Sequence, residues 1–279
     1  MKNNIRNERP EIREYHSDST GVFFQISRLL LREVSRFQRI EVFENPFFGK
    51  VLVLDGLIQT TERDEFFYHE MLVHPALNSH PSPKDVLIIG GGDGGTLREV
   101  LRYPVEQATL VEIDSKVIDV CREAFPWLNP ALEDERSRLV IDDGTKFVQE
   151  TADKFDVILV DSSEPIGPST PLHSEEFYLN LKEKLNTDGI VAGQIGSPLF
   201  HMEAIKREYG FLRKIFKYVA LYTGPVPTYP GGTWCYAFLS DWTLPGGTEH
   251  PLPPDLTFFN QEMWKSVFSL PEFMKSKLD

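Results

Sequence analysis

The chain has 279 residues, of which 41% are hydrophobic and 25% charged, and its net charge is −13. This composition is typical of a soluble globular protein, and without a run of about 18 apolar residues we expect no membrane span. The negative charge argues against a nucleic-acid partner and favours cationic ligands. Residues 1–16 have no apolar run, so we expect no secretory signal. Cys121 and Cys235 show no metal or disulfide spacing, which suggests buried thiols in a reducing cytoplasm.

Residues 1 to about 62 predict a small antiparallel β unit. Asp55-Gly56 is a hairpin turn signal between the last two of its four predicted strands, which are VFFQI, IEVFE, KVLVL and LIQTT. A helical pattern over residues 65–77 then leads into the next part of the chain. We therefore expect an N-terminal β domain over residues 1–63 and a second domain over residues 64–279.

From residue 84 onward, strand and helix patterns alternate. The predicted strands are 86–89, 109–113, 139–141, 157–160, 190–195, 218–222 and 235–239. The helical patterns lie at 96–102, 116–124, 175–185, 203–216 and near 271–278. This alternation predicts an α/β fold with a largely parallel, Rossmann-like sheet of the methyltransferase type. Because no helix separates the last two strands, we expect a hairpin and an antiparallel final strand.

The motif GGGDGG at residues 90–95 satisfies G-x-G-x-x-G between a predicted strand and a predicted helix, which is the context of a nucleotide-binding turn. Glu112 ends the next strand about 20 residues further on, where a carboxylate can accept from the hydroxyls of a ribose. The two features together indicate an adenosine-containing ligand. Dehydrogenases and methyltransferases both use this arrangement.

Acidic residues also follow the next two strands. Asp142-Asp143-Gly144 can accept from an exocyclic amine such as that of adenine, or it can cap the following helix. Asp161 ends the fourth strand, and Glu164 follows it in a loop stiffened by prolines. Since the carboxyl ends of parallel strands face one crevice, we expect these carboxylates to lie near the glycine loop.

Asp93 is unusual in a loop that offers backbone N–H groups to anions. It would repel the carboxylate of S-adenosylmethionine and attract an ammonium. Decarboxylated S-adenosylmethionine has the ammonium without the carboxylate, so it suits Asp93 better. The alternative is that Asp93 only caps the helix that follows.

The motifs of this chain resemble those of the polyamine aminopropyltransferases, the spermidine synthase family. The motifs that carry the resemblance are GGGDGG, VEID, DDG, DSSEPIGP and PTYPGG, together with the stretch FGKVLVLDGLIQTTERDEFFYHEM. The resemblance covers roughly residues 20–240. It implies a small N-terminal β domain, a Rossmann-like catalytic domain, and a homodimer or homotetramer. It also implies transfer of an aminopropyl group from decarboxylated S-adenosylmethionine to an amine, usually putrescine. No cofactor or metal is expected, because the sulfonium is already a good leaving group.

The resemblance implies a role for each of several residues. Those implied to hold the methylthioadenosine part are Gln38, Glu112, Asp143, Gly144 and Pro168. Those implied to hold the amino end of the aminopropyl group are Asp93 and Asp161. Asp161 also matches the catalytic base, beside the tyrosines Tyr68 and Tyr229. Those implied to contact the polyamine or line its pocket are His69, Glu164, Gln59, Gln194 and Trp234.

Two departures from the family fall on the wall expected to hold the far end of the acceptor. Glu164 stands where an aspartate is usual, and residues 169–173 replace a small residue, an acid and a Leu-Phe pair. They leave the acceptor open among putrescine, spermidine, agmatine and cadaverine. His173 is either a pocket residue or an ordinary loop residue, and we favour the loop. We interpret residues 62–65, which border the site, as a solvated helix start.

Three other functions are compatible with parts of the pattern. A methyltransferase of the same fold would bind the carboxylated cofactor, which Asp93 opposes. A catalytically silent polyamine-binding homologue would have no need for Asp161, Tyr68 and Tyr229. A nicotinamide dehydrogenase would require hydride-transfer residues after the glycine loop, and we recognise none.

Overall fold

The structure, a computed structural model, describes residues 10–163, 167–245 and 251–278. Its first strands are β1 (Glu11–Ser17), β2 (Thr20–Gln25), β3 (Arg28–Val34), β4 (Arg39–Asn45), β5 (Gly49–Leu54) and β6 (Leu57–Thr61). β1 and β2 form a separate antiparallel hairpin, and β3 to β6 form a four-stranded antiparallel sheet in chain order. The expected antiparallel β unit is therefore present, as two small sheets.

Two of these strands, β1 and β3, were not among the predicted ones. In β1 the inward positions are Ile12, Glu14 and His16, so alternation gives almost no apolar signal. In β3, an edge strand, most side chains are exposed. Both strands are defined by backbone pairing with a neighbour rather than by a buried apolar face of their own.

The second part of the chain forms a seven-stranded sheet within the described ranges. Its strands are β7 (Asp85–Gly90), β8 (Gln107–Glu112), β9 (Ser137–Ile141), β10 (Phe155–Asp161), β11 (Leu185–Gly196), β12 (Tyr218–Pro225) and β13 (Thr233–Ser240). Their order across the sheet is β12-β13-β11-β10-β7-β8-β9. β13 runs antiparallel to both of its neighbours, as predicted for the final strand, and the Rossmann-like fold class is confirmed.

The helices are α1 (Glu65–Leu77), α2 (Gly95–Val100), α3 (Ser115–Ala124), α4 (Asn129–Leu132), α5 (Gly144–Glu150), α6 (Glu175–Glu183), α7 (Met202–Ile215), α8 (Gln261–Ser266) and α9 (Glu272–Leu278). The predicted helix over 175–185 was too long, because Leu185 pairs with Phe155 and begins β11. A 3-10 helix over Gly167–His173 and α8 were not predicted. No helix of the described ranges is long and apolar enough to cross a membrane.

The large sheet is covered on both faces, which explains its continuous apolar strands. Val86 and Ile88 of β7 point into the core beneath α1 and α2, and Leu87 and Ile89 point into the core beneath α5, α6 and α7. Successive side chains of a strand alternate between faces, so one short apolar run serves both cores. α3 packs against β4 and β5 and joins the N-terminal sheet to the large one.

The strand order has a switch point that positions the ligand crevice. From β7 the chain continues to β8 and β9 on one side, and β10 then lies on the other side of β7. In sheets of this kind, ligands bind at the carboxyl ends of the strands that flank such a point. The glycine loop after β7 and Asp161 at the end of β10 therefore face the same crevice.

Helix α1, which borders this crevice, is tied to the C-terminal segment by Glu70. The buried Glu70 carboxylate accepts hydrogen bonds from the backbone N–H groups of Thr257, Phe258 and Phe259, at 2.8, 2.9 and 2.7 Å. Three backbone donors, of which that of Phe259 is buried, thus depend on one side chain, and loss of its charge weakens all three bonds.

We predict that Glu70→Gln lowers the free energy of unfolding by about 2 kcal/mol, because hydrogen bonds to a charged group are replaced by fewer, weaker ones. Urea unfolding measures this change. Glu133→Gln, at an exposed position, is the matched control and is expected to stay near the wild-type value. Equal stability of the two variants would contradict the role given to Glu70.

Candidate active site

Polar side chains from five adjacent positions of the sheet line one cleft along its carboxyl edge. In sheet order these are Trp234 at the start of β13, Gln194 on β11, Asp161 at the end of β10, Asp93 after β7, and Glu112 at the end of β8. β13 is antiparallel, so its first residues lie at the same edge as the last residues of its neighbours. The predicted convergence of carboxylates is present.

The remaining predicted site residues line the same cleft, with two exceptions. Those in the cleft are Gln38, Gln59, Tyr68, His69, Asp143, Gly144 and Tyr229. Glu164 lies outside the described residues. Pro168 belongs to the 3-10 helix over Gly167–His173, and its side chain is outside the description.

Asp161 occupies the centre of the cleft and is held through both carboxylate oxygens. The Tyr68 hydroxyl donates to Oδ1 at 2.8 Å, and the Thr96 hydroxyl donates to Oδ2 at 2.7 Å. Burial raises the pKa of Asp161, and the negative charge of Asp93 raises it further. Burial also raises the pKa of Tyr68 well above its ordinary value, so this hydroxyl keeps its proton and remains a donor. Asp161 is therefore oriented for proton transfer and is a stronger base than an exposed aspartate.

Asp93 lies beside a histidine. Its Oδ1 accepts from the backbone N–H of Gly95 at 2.9 Å, and its Oδ2 lies 3.4 Å from Nε2 of His69. Burial acts to raise the pKa of Asp93, but the charge and hydrogen bond of His69 outweigh it and lower this pKa. Burial acts to lower the pKa of His69, but Asp93 and Glu65 outweigh it and raise this pKa well above its ordinary value. The pair is thus a carboxylate and an imidazolium.

Glu65, which also lines the cleft, and Arg98 continue this arrangement. Glu65 binds Nδ1 of His69 and receives two hydrogen bonds from Arg98, at 2.7 and 2.9 Å. Burial opposes the charge of Glu65, but His69 and Arg98 bring its pKa down to about 2. The expectation of a solvated helix start at residues 62–65 was therefore wrong for Glu65 and for the buried Asp64. The spacing of Glu65 and His69, four residues apart in a helix, was the available signal.

The glycines of the loop leave room for these side chains. A Cβ on Gly95 would lie 2.1 Å from Cε1 of His69, and a Cβ on Gly91 would lie 2.6 Å from Oδ2 of Asp161. Contacts this short are not tolerated, so any larger residue would displace the histidine or the aspartate. The loop is rich in glycine partly because acidic and basic side chains pack directly on its backbone.

One end of the cleft suits a nucleoside. Glu112 accepts from the backbone N–H of Asp114 at 2.9 Å, and burial is the main reason that its pKa is raised to about 7. Asp114 in turn accepts from the Gln38 side chain at 3.1 Å. Asp143 caps α5 by accepting from the backbone N–H of Thr145 at 2.7 Å, and it also lines the cleft. The capping interpretation of Asp143 is therefore correct without excluding a ligand contact.

The other end of the cleft is built around the segment that follows Asp161. Nε1 of Trp234 donates to Oε1 of Gln194 at 2.9 Å. Nε2 of Gln194 donates to the carbonyl oxygens of Ser162 and Ser163, at 2.8 and 3.1 Å. Trp234 and Gln194 thus hold this segment in place as well as lining the cleft.

Two acidic residues that line this end were not predicted. Glu14 of β1 is buried and accepts from the backbone N–H of Ile58 at 2.7 Å. Asp64 accepts from the backbone N–H and the hydroxyl of Thr228, at 3.1 and 2.8 Å. No sequence pattern pointed to Glu14, because β1 itself was not predicted. With Glu14 and Asp64 the cleft is more acidic than expected, which favours cationic ligands.

His69, Asp93 and Asp161 each offer an atom within 4.8 Å of the others, which is close enough to hold a metal ion. An ammonium group is held by the same kind of acidic acceptors. The expectation that no metal takes part stays a prediction.

Comparison with known proteins agrees with this geometry. Residues 65–244 match the family model described as Spermine/spermidine synthase domain, and residues 12–62 match the Spermidine synthase tetramerisation domain. The chain belongs to the spermine/spermidine synthase family. It is therefore an enzyme of the polyamine aminopropyltransferase class, as the resemblance implied.

Individual relatives show how far the similarity extends. A polyamine aminopropyltransferase of Methanocaldococcus jannaschii is 41% identical over 277 residues, which cover 94% of this chain and 92% of the relative. A polyamine aminopropyltransferase of Shouchella clausii is 40% identical, and the match covers 95% of this chain and 98% of the relative. A spermidine synthase solved in complex with the transition state analogue AdoDATO is 38% identical and has a TM-score of 0.94. The match covers 97% of this chain and 95% of the chain of that structure. The spermidine synthase of Thermotoga maritima gives a TM-score of 0.92 at 38% identity, covering 97% and 94%.

We predict that Asp93→Asn lowers the pKa of His69. Burial already acts to lower this pKa, and Asp93 is the largest influence that raises it. An NMR titration of the histidine ring nitrogens measures the change, with Asp153→Asn, at an exposed position, as the control. An unchanged His69 titration in Asp93→Asn would show that the two side chains are not paired in solution.

Proposed function

We propose that this enzyme transfers the aminopropyl group of decarboxylated S-adenosylmethionine to putrescine, giving spermidine and methylthioadenosine. The observation that carries the proposal is the charge of the partly buried cluster formed by Glu65, His69, Asp93, Arg98 and Asp161. When ionised, Asp93, Asp161 and Glu65 carry three negative charges, while His69 and Arg98 carry two positive ones. A bound ammonium supplies the missing positive charge, and a carboxylate at the same place would be repelled.

The order of residues along the cleft supports the orientation of the cosubstrate. The groups proposed to hold its nucleoside part are Gln38, Glu112, Asp143, Gly144 and Pro168. Asp93 and Asp161, next in sheet order, are proposed to hold the aminopropyl ammonium. Beyond them, the groups proposed to surround the acceptor amine are Tyr68, His69, Tyr229, Gln59, Glu164, Gln194 and Trp234. The name spermidine synthase of the similar solved structures also supports putrescine as the acceptor.

The reaction is a displacement at the aminopropyl carbon attached to sulfur. The attacking nitrogen forms a bond to this carbon, the carbon–sulfur bond breaks, and its electron pair stays on sulfur as methylthioadenosine leaves. A primary amine has a pKa of about 10, like lysine, so it must lose a proton before it can attack. Asp161 accepts that proton in this proposal, because its pKa is raised by burial and Tyr68 orients it. Alignment of nitrogen, carbon and sulfur supplies most of the remaining acceleration.

The assembly and location of the enzyme are part of the same proposal. The match of residues 12–62 to a tetramerisation domain supports a homodimer or homotetramer formed through the N-terminal β domain, residues 1–63. Cys121 and Cys235 are both buried as free thiols, which supports a reducing compartment such as the cytoplasm.

Product analysis by mass spectrometry tests the proposed function. The enzyme is mixed with decarboxylated S-adenosylmethionine and, in separate reactions, putrescine, cadaverine, agmatine and spermidine, each with and without EDTA. We expect methylthioadenosine and spermidine from putrescine, with no effect of EDTA. Turnover only with another amine would change the acceptor and keep the chemistry. Loss of turnover in EDTA would overturn the metal-free mechanism.

We predict that Asp161→Asn lowers kcat at least about 100-fold, the usual contribution of a general base, while methylthioadenosine binds nearly as in the wild type. The amide keeps the shape of the side chain but cannot take the proton. Steady-state kinetics and calorimetric titration with methylthioadenosine measure the two effects. Activity within a few fold of wild type would exclude Asp161 as the base.

A further inference from the structure

A buried contact between a histidine and a glutamate lies next to the segment that follows Asp161. His173 ends the 3-10 helix over Gly167–His173, and Glu208 lies on α7. Nδ1 of His173 is 3.4 Å from Oε2 of Glu208, and the two side chains are 8% and 7% exposed. The favoured interpretation of His173 as an ordinary loop residue was wrong, because its ring is buried and contacts Glu208 of α7. Neither residue is among those that line the described cleft.

The other ring nitrogen of His173 reaches the beginning of the same loop. Nε2 lies 3.4 Å from Oγ of Ser162 and 3.4 Å from the carbonyl oxygen of Ser163. These serines follow the proposed base directly and line the cleft. His173 therefore connects the end of the 3-10 helix to the segment Ser162-Ser163.

The segment Ser162-Ser163 is thus held from two sides. Gln194 of β11 donates to both of its carbonyl oxygens. His173 approaches it from the loop, and Glu208 holds His173 from behind. The Tyr178 hydroxyl donates to the other oxygen of Glu208 at 3.1 Å, which fixes the direction of the carboxylate. A buried, connected polar network of this kind rigidifies the elements it joins.

We propose that His173, oriented by Glu208, is a positioning residue that fixes the segment Ser162-Ser163 and with it the acceptor wall of the cleft. The inference rests on the proposed function in one respect, that an amine binds at this wall. Two features make the pair more than an aid to stability. The outer nitrogen of His173 contacts the segment next to the base, and a buried polar pair is by itself a weak source of stability compared with an apolar pair of similar volume.

Amide hydrogen exchange without substrate tests the positioning step independently of the reaction. The variants are Glu208→Leu, His173→Phe and the double variant, and the reporter is the peptide covering residues 161–174. Exchange should rise in all three variants. It should rise less in His173→Gln, whose amide can still donate toward Ser163. Lys182→Met is the matched control, because it removes a different contact between α6 and the end of α7, and its loop should exchange as in the wild type.

Kinetics separate positioning from stability. His173→Phe leaves the buried Glu208 side chain without its histidine partner, so the Tm of this variant should fall. The double variant should recover much of this loss because the pair becomes apolar. The value of kcat/KM for the amine should stay roughly tenfold below wild type in both, since misplacement of groups near the reacting atoms is costly. KM for the nucleoside cosubstrate should change less than KM for the amine.

Two results would overturn the inference. The first is unchanged exchange of the 161–174 peptide in Glu208→Leu. The second is a double variant that recovers both Tm and kcat/KM, since this would reduce the pair to a contribution to stability. If the wild type turned over no amine, the proposed function would fail, and the exchange result would still decide whether His173 and Glu208 hold the segment.

Discussion

The partial burial of two neighbouring carboxylates, Asp93 and Asp161, at the switch point of the sheet is the constraint on which the rest of the site depends. Charge in such a place is costly unless it is paired and hydrogen-bonded. The structure offsets the free-energy cost of burial differently for the two carboxylates. Asp93 has the imidazolium of His69, and Asp161 has the hydroxyls of Tyr68 and Thr96. One carboxylate is thus kept ionised, and the other keeps a raised pKa suited to accepting a proton.

Much of the surrounding architecture serves these two groups. α1 carries both Tyr68 and His69, and Glu70 on the same helix is bound by the backbone of residues 257–259. The glycines after β7 allow His69 and Asp161 to approach the backbone. Because His69 offsets Asp93, the proposed preference for a cation belongs to the whole cluster rather than to Asp93 alone. This refines the argument from the sequence, in which the aspartate was considered by itself.

The fold and most of the site followed from the sequence, for identifiable reasons. The strands of the large sheet are apolar throughout, and their carboxyl ends carry the acids, so Asp93, Glu112 and Asp161 could be placed together before any coordinates. Residues whose role depends on partners distant in the sequence could not be predicted. Glu14 lies on a strand without apolar alternation, and Glu208 is one polar residue of an amphipathic helix until its contact with His173 is seen.

Calorimetric titration of the enzyme with decarboxylated S-adenosylmethionine and with S-adenosylmethionine tests the central claim most directly. The net negative cluster predicts that the decarboxylated form binds at least about tenfold more tightly, which corresponds to about 1.4 kcal/mol. It also predicts that Asp93→Asn narrows this ratio, because the variant removes one negative charge from the place that the ammonium occupies. Equal affinities in the wild type, or a ratio that does not change in Asp93→Asn, would contradict the account.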